Sequence, residues 1–211
     1  VHSVAPECVA ITQATELGTV YRPDEVAAIG EVCRKHDLRL FMDGARFANA
    51  VAHLDCSPAD ITWKAGVDAI SFGATKNGAM AVDAIVLFDT SLKHRVEQAR
   101  KRSGHLHSKH RYLATQLLAC VKNDVWLKNA AHANKAAATL GDILIGRGAS
   151  LAHPADGNEL FVKLSPELAS QLRDAGVMFH PWPSLGADIY RFVAAWNTDI
   201  GQITELNTTL G

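Results

Sequence analysis

Residues 67–80 read "VDAISFGATKNGAM". An apolar run with strand character ends at Phe72, and a small-residue loop carrying Lys76 follows at once. Lysine is a poor choice for a tight turn after a buried strand unless the site needs an amine. Upstream, "LRLFMD" (38–43) is a second strand-like run, and it ends on Asp43. Helical patterns separate such runs. "RPDEVAAIGEVCRKHD" carries Pro23 at its first position, Asp24 and Glu25 in its first turn and Arg34, Lys35 and His36 in its last. Acids at the start and cations at the end complement the helix dipole. "ECVAITQA" and "AVDAIVLFD" are further strand candidates, and "GARFANAVAHL" a further helix. Strands alternating with helices predict a mainly parallel, doubly wound α/β sheet.

The pattern changes near Ser91. Residues 91–148 are mostly helical in character. "NELFVKLS" (strand), "SPELASQLRDAG" (helix), "VMFHPWP" and "YRFVAAWN" (strands) then suggest a small α+β unit. The expected organisation is part of a large α/β domain over 1–90, a helical connector over 91–120 and a small C-terminal domain over 121–211.

The chain has 211 residues, 48% hydrophobic and 20% charged, with a formal net charge of -1. This is ordinary globular composition, and the overall charge points to no nucleic-acid partner. A basic run between Lys93 and Arg111 has only Tyr112 as an adjacent aromatic, too few for base stacking. Cys8, Cys33, Cys56 and Cys120 are scattered without a CxxC pair, so reduced thiols and a cytoplasmic setting are expected, with no metal site. No apolar run approaches the ~20 residues of a membrane span.

In open α/β sheets ligands bind at the carboxyl ends of the strands, and Asp43 and Lys76 both sit at such ends. Taken singly, an Asp after a strand is ordinarily a helix N-cap and a loop lysine a solvated residue. Together they suit pyridoxal 5'-phosphate (PLP). The lysine amine makes a Schiff base with its aldehyde, and the carboxylate keeps the pyridine nitrogen protonated. Ser71 and Thr75 could donate to the phosphate. "GATKNG" lacks the order and spacing of a Walker A loop.

Four segments, "TQATELGTVY", "LRLFMDGARFANAV", "CSPADITWKAGVDAISFGATKNGA" and "KRSGHLHSKHRYLATQ", together resemble the L-threonine aldolase family. That family lies in the β-eliminating lyase group of the fold-type I, aspartate-aminotransferase-like PLP enzymes. The resemblance implies a partial large domain with a mainly parallel sheet and a small α+β domain. It implies retro-aldol cleavage of L-threonine, L-allo-threonine and related β-hydroxy-α-amino acids to glycine and an aldehyde. Lys76 would be the Schiff-base lysine and Asp43 the partner of the pyridine nitrogen. Arg46 would reach the cofactor or the substrate carboxylate, and Arg191 would be the second carboxylate-binding arginine. Arg111, or failing it Arg102, would contact the cofactor phosphate of a neighbouring subunit. The resemblance also implies a homodimer or homotetramer with sites at the interface.

His53, His105, His107 and His110 stay open as the base for the hydroxyl proton, as does a phosphate-bound water. The upstream phosphate-cupping turn and ring-stacking residue of the family have no counterpart here. The resemblance therefore implies the C-terminal portion of such an enzyme, with weak or no PLP affinity when alone. Another fold-type I lyase or aminotransferase, or a non-catalytic fragment of one, is the alternative.

Overall fold

A computed structural model describes residues 5–210. The first half is built from β1 (Cys8–Thr12), α1 (Pro23–Lys35), β2 (Arg39–Gly44), α2 (Phe47–Leu54), β3 (Ala69–Gly73) and β4 (Asp83–Leu87). The four strands form one sheet in the order β1-β2-β3-β4. The first two pairings are parallel and the last is antiparallel. Pro23 starts α1, and the Glu25 carboxylate accepts the Arg22 backbone N–H at 2.8 Å. Val26 and Cys33 of α1 pack with Leu40 and Met42 of β2, Phe47 and Val51 of α2, and Ile70 of β3.

Strand register sets a polar edge on this sheet. Thr12 pairs with Asp43, and Asp43 with Ser71, so three polar residues lie in one row at the carboxyl edge of β1, β2 and β3. Gly73 closes β3 hard against the turn after β2. A Cβ there would lie 2.7 Å from the Ala45 Cα, closer than real packing allows.

The connecting region holds α3 (Lys93–Arg102), α4 (Arg111–Val121) and α5 (Val125–Gly146). The sheet of the second half orders β5 (Ser150–Leu151), β6 (Glu159–Lys163), β8 (Ile189–Val193) and β7 (His180–Pro181), all antiparallel. α6 (Pro166–Asp174) and α7 (Ile200–Thr209) complete it. Sequence pattern alone does not mark β5 or α7.

β6 alternates. Leu160 and Val162 face a core shared with Leu168 and Leu172 of α6, Phe192 of β8 and Leu206 of α7. Glu159 and Phe161 lie on its other face by the period of two. The long α5 serves both halves. Trp126 and Leu127 pack on the first core, while Ala136, Ala137 and Leu144 belong to the second.

Candidate active site

At the edge of the first sheet, Asp43 ends β2 with an exposed side chain. Its Oδ1 accepts the Ala45 N–H at 2.9 Å and the Ser71 hydroxyl at 3.3 Å. Ser71 Oγ in turn accepts the Gly44 N–H at 3.3 Å. The carboxylate is thus oriented by its own turn and by the neighbouring strand.

Lys76 lies one strand over, in a short 3₁₀ turn spanning Thr75–Asn77 that follows β3 directly. The turn is fixed on both sides of the lysine. Asp83 Oδ1 accepts the Ala74 N–H at 2.7 Å, the Thr75 N–H at 3.1 Å and the Thr75 hydroxyl at 3.1 Å. The buried Asn77 donates to the Trp126 carbonyl at 2.8 Å, and Asn129 donates to the Asn77 carbonyl at 3.0 Å. Lys76 itself is exposed, and among the described residues its amine has no hydrogen bond or ion pair. A rigid turn therefore presents an uncommitted amine. The Thr75 hydroxyl is committed to Asp83, and the Ser71 hydroxyl to Asp43.

The two arginines singled out in the sequence come together on a third residue. Arg46, at the start of α2, places Nη2 2.9 Å from Glu159 Oε1. Arg191 of β8 donates to the same oxygen through Nε at 2.7 Å and also through Nη2. β6 and β8 pair Phe161 with Arg191, which makes Glu159 and Arg191 diagonal neighbours on one face. The Arg191 guanidinium lies over the Trp182 ring, 5.3 Å from its centroid. Arg46 Nε is buried without a hydrogen-bond partner among the described residues. Burial pushes the Arg46 guanidinium down from its ordinary value, and Glu159 opposes this most strongly.

A loop between β1 and α1 borders this cluster. Buried Gln13 clasps Tyr21 from both ends, donating to its carbonyl at 2.8 Å and accepting its N–H at 3.0 Å. Gly18, at φ +76°, approaches the Glu159 backbone so closely that a Cβ would lie 3.0 Å from its carbonyl oxygen. Asp156 ties the same junction, accepting the Val20 N–H at 3.2 Å and facing His53 Nε2 at 3.6 Å.

Other sequence candidates stand apart. Arg111 is exposed at the start of α4, and among the described residues its side chain has no hydrogen bond or ion pair. α4 does reach the loop after Lys76, since Gln116 accepts the Met80 and Ala81 N–H groups at 3.0 and 3.2 Å. Exposed His105 and His107 meet edge to face, and His110 Nδ1 is buried without a partner among the described residues. No group of three or more His, Cys, Asp or Glu among the described residues could hold a metal ion.

Glu159 and Asp83 were missed in the sequence. A Glu opening an apolar strand was the available signal for the first. Asp83 had none, because its role depends on the antiparallel return of β4 beside β3.

The arrangement can hold a covalent adduct at the Lys76 amine, a protonated ring nitrogen at Asp43, and a carboxylate at the arginine pair. The family model described as "Beta-eliminating lyase" matches residues 1–167. The chain is 43% identical to the low specificity L-threonine aldolase of Pseudomonas aeruginosa over 207 residues, covering 98% of this chain and 59% of that protein. The enzyme of the same description from a Pseudomonas species is 40% identical, with the same coverage. Among solved structures, Leishmania major threonine aldolase superposes with a TM-score of 0.90 at 32% identity, covering 99% of this chain and 61% of that one. Saccharomyces cerevisiae Bna3p superposes at 0.72 with 14% identity, a likeness of fold alone. The chain thus spans about three-fifths of the length of the two curated Pseudomonas relatives.

Proposed function

Because the chain belongs to the beta-eliminating lyase family, we propose that it forms the lysine-bearing part of a PLP-dependent aldehyde-lyase. The reaction is retro-aldol cleavage of L-threonine, L-allo-threonine and related β-hydroxy-α-amino acids to glycine and an aldehyde. The observation that carries this reading is the placement of Asp43 and the uncommitted Lys76 amine at the ends of adjacent parallel strands.

The residues present fit the cofactor. Lys76 offers a free amine for its aldehyde. Asp43, held by Ala45 and Ser71, offers an oriented carboxylate for its pyridine nitrogen. The orphaned Arg46 Nε lacks an acceptor that a bound oxyanion would supply. When bound, PLP supplies an electron sink for the pair left on Cα as the Cα–Cβ bond breaks.

The chain's own residues supply position and charge. Asp43 holds a proton at the ring nitrogen, and Ser71 holds Asp43. Arg46 and Arg191 take the substrate carboxylate, since a guanidinium fork suits bidentate recognition. The fixed turn around Lys76 keeps its amine where the proton returning to Cα is needed.

An assembly of two or four copies is supported by exposed apolar side chains, among them Met80 (89% exposed) in the loop after Lys76 and Leu106, Tyr112 and Leu118 in the helical region. Arg111 on that surface would serve the phosphate of a neighbouring copy. The four free cysteines support a cytoplasmic setting, and among the described residues no helix is long and apolar enough to cross a membrane.

The test is an absorbance spectrum with added PLP, before and after borohydride, alongside an aldehyde-release assay with threonine. A visible band fixed by borohydride, absent from Lys76→Ala, together with glycine and acetaldehyde as products, is the expected outcome. Keto-acid products would instead indicate an aminotransferase, and no band with no cleavage would overturn the claim that this chain is an enzyme by itself.

A further inference from the structure

Glu159 is 2% exposed and lies in direct contact with both arginines, occupying donors that a substrate carboxylate would use. A buried carboxylate at an anion site needs a reason, because desolvation makes it expensive and unpairing it more so. We infer that Glu159 holds the arginine pair at one net positive charge, so that the site takes amino acids with a single carboxylate and rejects those bringing a second negative group. This rests on the function proposed above.

The geometry supports the charge count. Arg191 donates to Glu159 Oε1 through Nε and Nη2, and Arg46 Nη2 forms an ion pair with the same oxygen at 2.9 Å. Among the described residues this leaves Arg191 Nη1 and the Arg46 guanidinium, including its buried Nε, without a hydrogen bond. The pair can therefore still grip a carboxylate while Glu159 stays in place. Two guanidiniums and one carboxylate carry a single net positive charge. A monocarboxylate neutralises that charge, whereas a dianion leaves an excess negative charge in a poorly solvated place.

Other charges do not change the count. Glu16 and Asp43 also face Arg46, each more weakly than Glu159. Glu16 is exposed, so water screens it, and Asp43 is committed to Ala45 and Ser71. Glu159 has little freedom to leave. Gly18 backs onto its main chain, and Trp182 lies under the arginine it holds. It is a positioning and specificity-determining residue, distinct from the groups that touch the reacting atoms.

The experiment compares the PLP-loaded protein with E159Q and E159D. Succinate serves as the dianionic competitor and threonine as the monocarboxylate substrate. In E159Q the ratio of the succinate Ki to the threonine KM falls by roughly tenfold or more, while E159D, which keeps the charge, retains the parent ratio. An unchanged ratio in E159Q, or E159D shifting as far as E159Q, overturns the proposal. Should E159Q fail to fold, the parent protein decides. Comparable kcat/KM for threonine and for β-hydroxyaspartate overturns the proposal, and strong discrimination against the latter supports it.

A readout without turnover separates this claim from the functional one. Succinate should raise the melting temperature of E159Q more than that of the parent, with acetate raising both alike. That pattern upholds the charge claim even if no amino acid is cleaved, and its absence sinks the claim even if threonine is cleaved.

Discussion

Arg46 and Glu159 meet at 2.9 Å across the junction between two separately built sheets. One stands after a strand of the parallel sheet, and the other opens a strand of the antiparallel one. Arg191 joins them from β8, so the proposed carboxylate site is assembled only when the two halves are docked. Glu159 is therefore both part of the site and part of the joint that assembles it.

Arg46→Lys should separate binding from chemistry. Lysine keeps the charge but loses the planar fork and the Nε donor. The expected result is a threonine KM raised by roughly 10- to 100-fold with kcat much less affected. Steady-state kinetics at saturating PLP checks it. A kcat loss without a KM change would place Arg46 elsewhere in the mechanism.

Asp43→Asn and Ser71→Ala should form a graded pair. The first removes the charge proposed to hold a proton at the ring nitrogen and should lower kcat by roughly 10²-fold or more. The second removes only the hydroxyl that orients Asp43, a hydrogen bond worth about 1 kcal/mol, or roughly fivefold in kcat. Equal losses in the two variants would show that Ser71 contacts the cofactor itself.

Asp83→Ala removes the acceptor for three donors around the Lys76 turn. The cost should be roughly 1–3 kcal/mol of stability. At about 2–4 °C per kcal/mol for a chain of this size, the melting temperature should drop by several degrees. Thermal denaturation measures this, and an unchanged melting temperature would mean that the turn is held by Asn77 and Asn129 alone.

Gly18→Ala should loosen the junction rather than the chemistry. The positive φ costs a residue bearing Cβ roughly 1–2 kcal/mol, and the new Cβ would crowd the Glu159 carbonyl. Lower stability with a raised threonine KM is expected, read by denaturation and kinetics on one preparation.

Alkaline pH should destabilise the fold through its thiols. Burial pushes Cys33, Cys56 and Cys120 up from their ordinary value, with nearby Asp68 adding at Cys33 and Asp60 at Cys56. Between the unfolded value of about 8.5 and the higher folded values, the folded state binds more protons than the unfolded one. These thiols therefore cost nothing below that window, and stability falls as pH rises through it. Melting temperature against pH should bend downward above about 8.5, and less so in Cys33→Ala.

Much of the first half was readable from pattern alone. Alternating strands and helices pointed to the parallel sheet, and the strand-end positions of Asp43 and Lys76 followed from where the apolar runs stop. These are local signals, carried by neighbours within one or two turns of chain. The fixed turn around Lys76 was not readable, because it depends on Asp83, which returns on β4, and on Asn129, which arrives from α5. The hydroxyls of Ser71 and Thr75 looked unpartnered in the sequence, and their bonds to Asp43 and Asp83 appear only in the fold.

The chemistry available to this protein is written in its residue types. An amine follows one strand, a carboxylate ends another and two arginines stand far apart in the chain, all legible because residue type and hydrophobic period are local properties. That Arg46 and Arg191, separated by most of the chain, share one buried carboxylate is a matter of tertiary packing. The contact rests on strand register within the second sheet and on docking between the halves. Both are set over long separations, which no local pattern encodes.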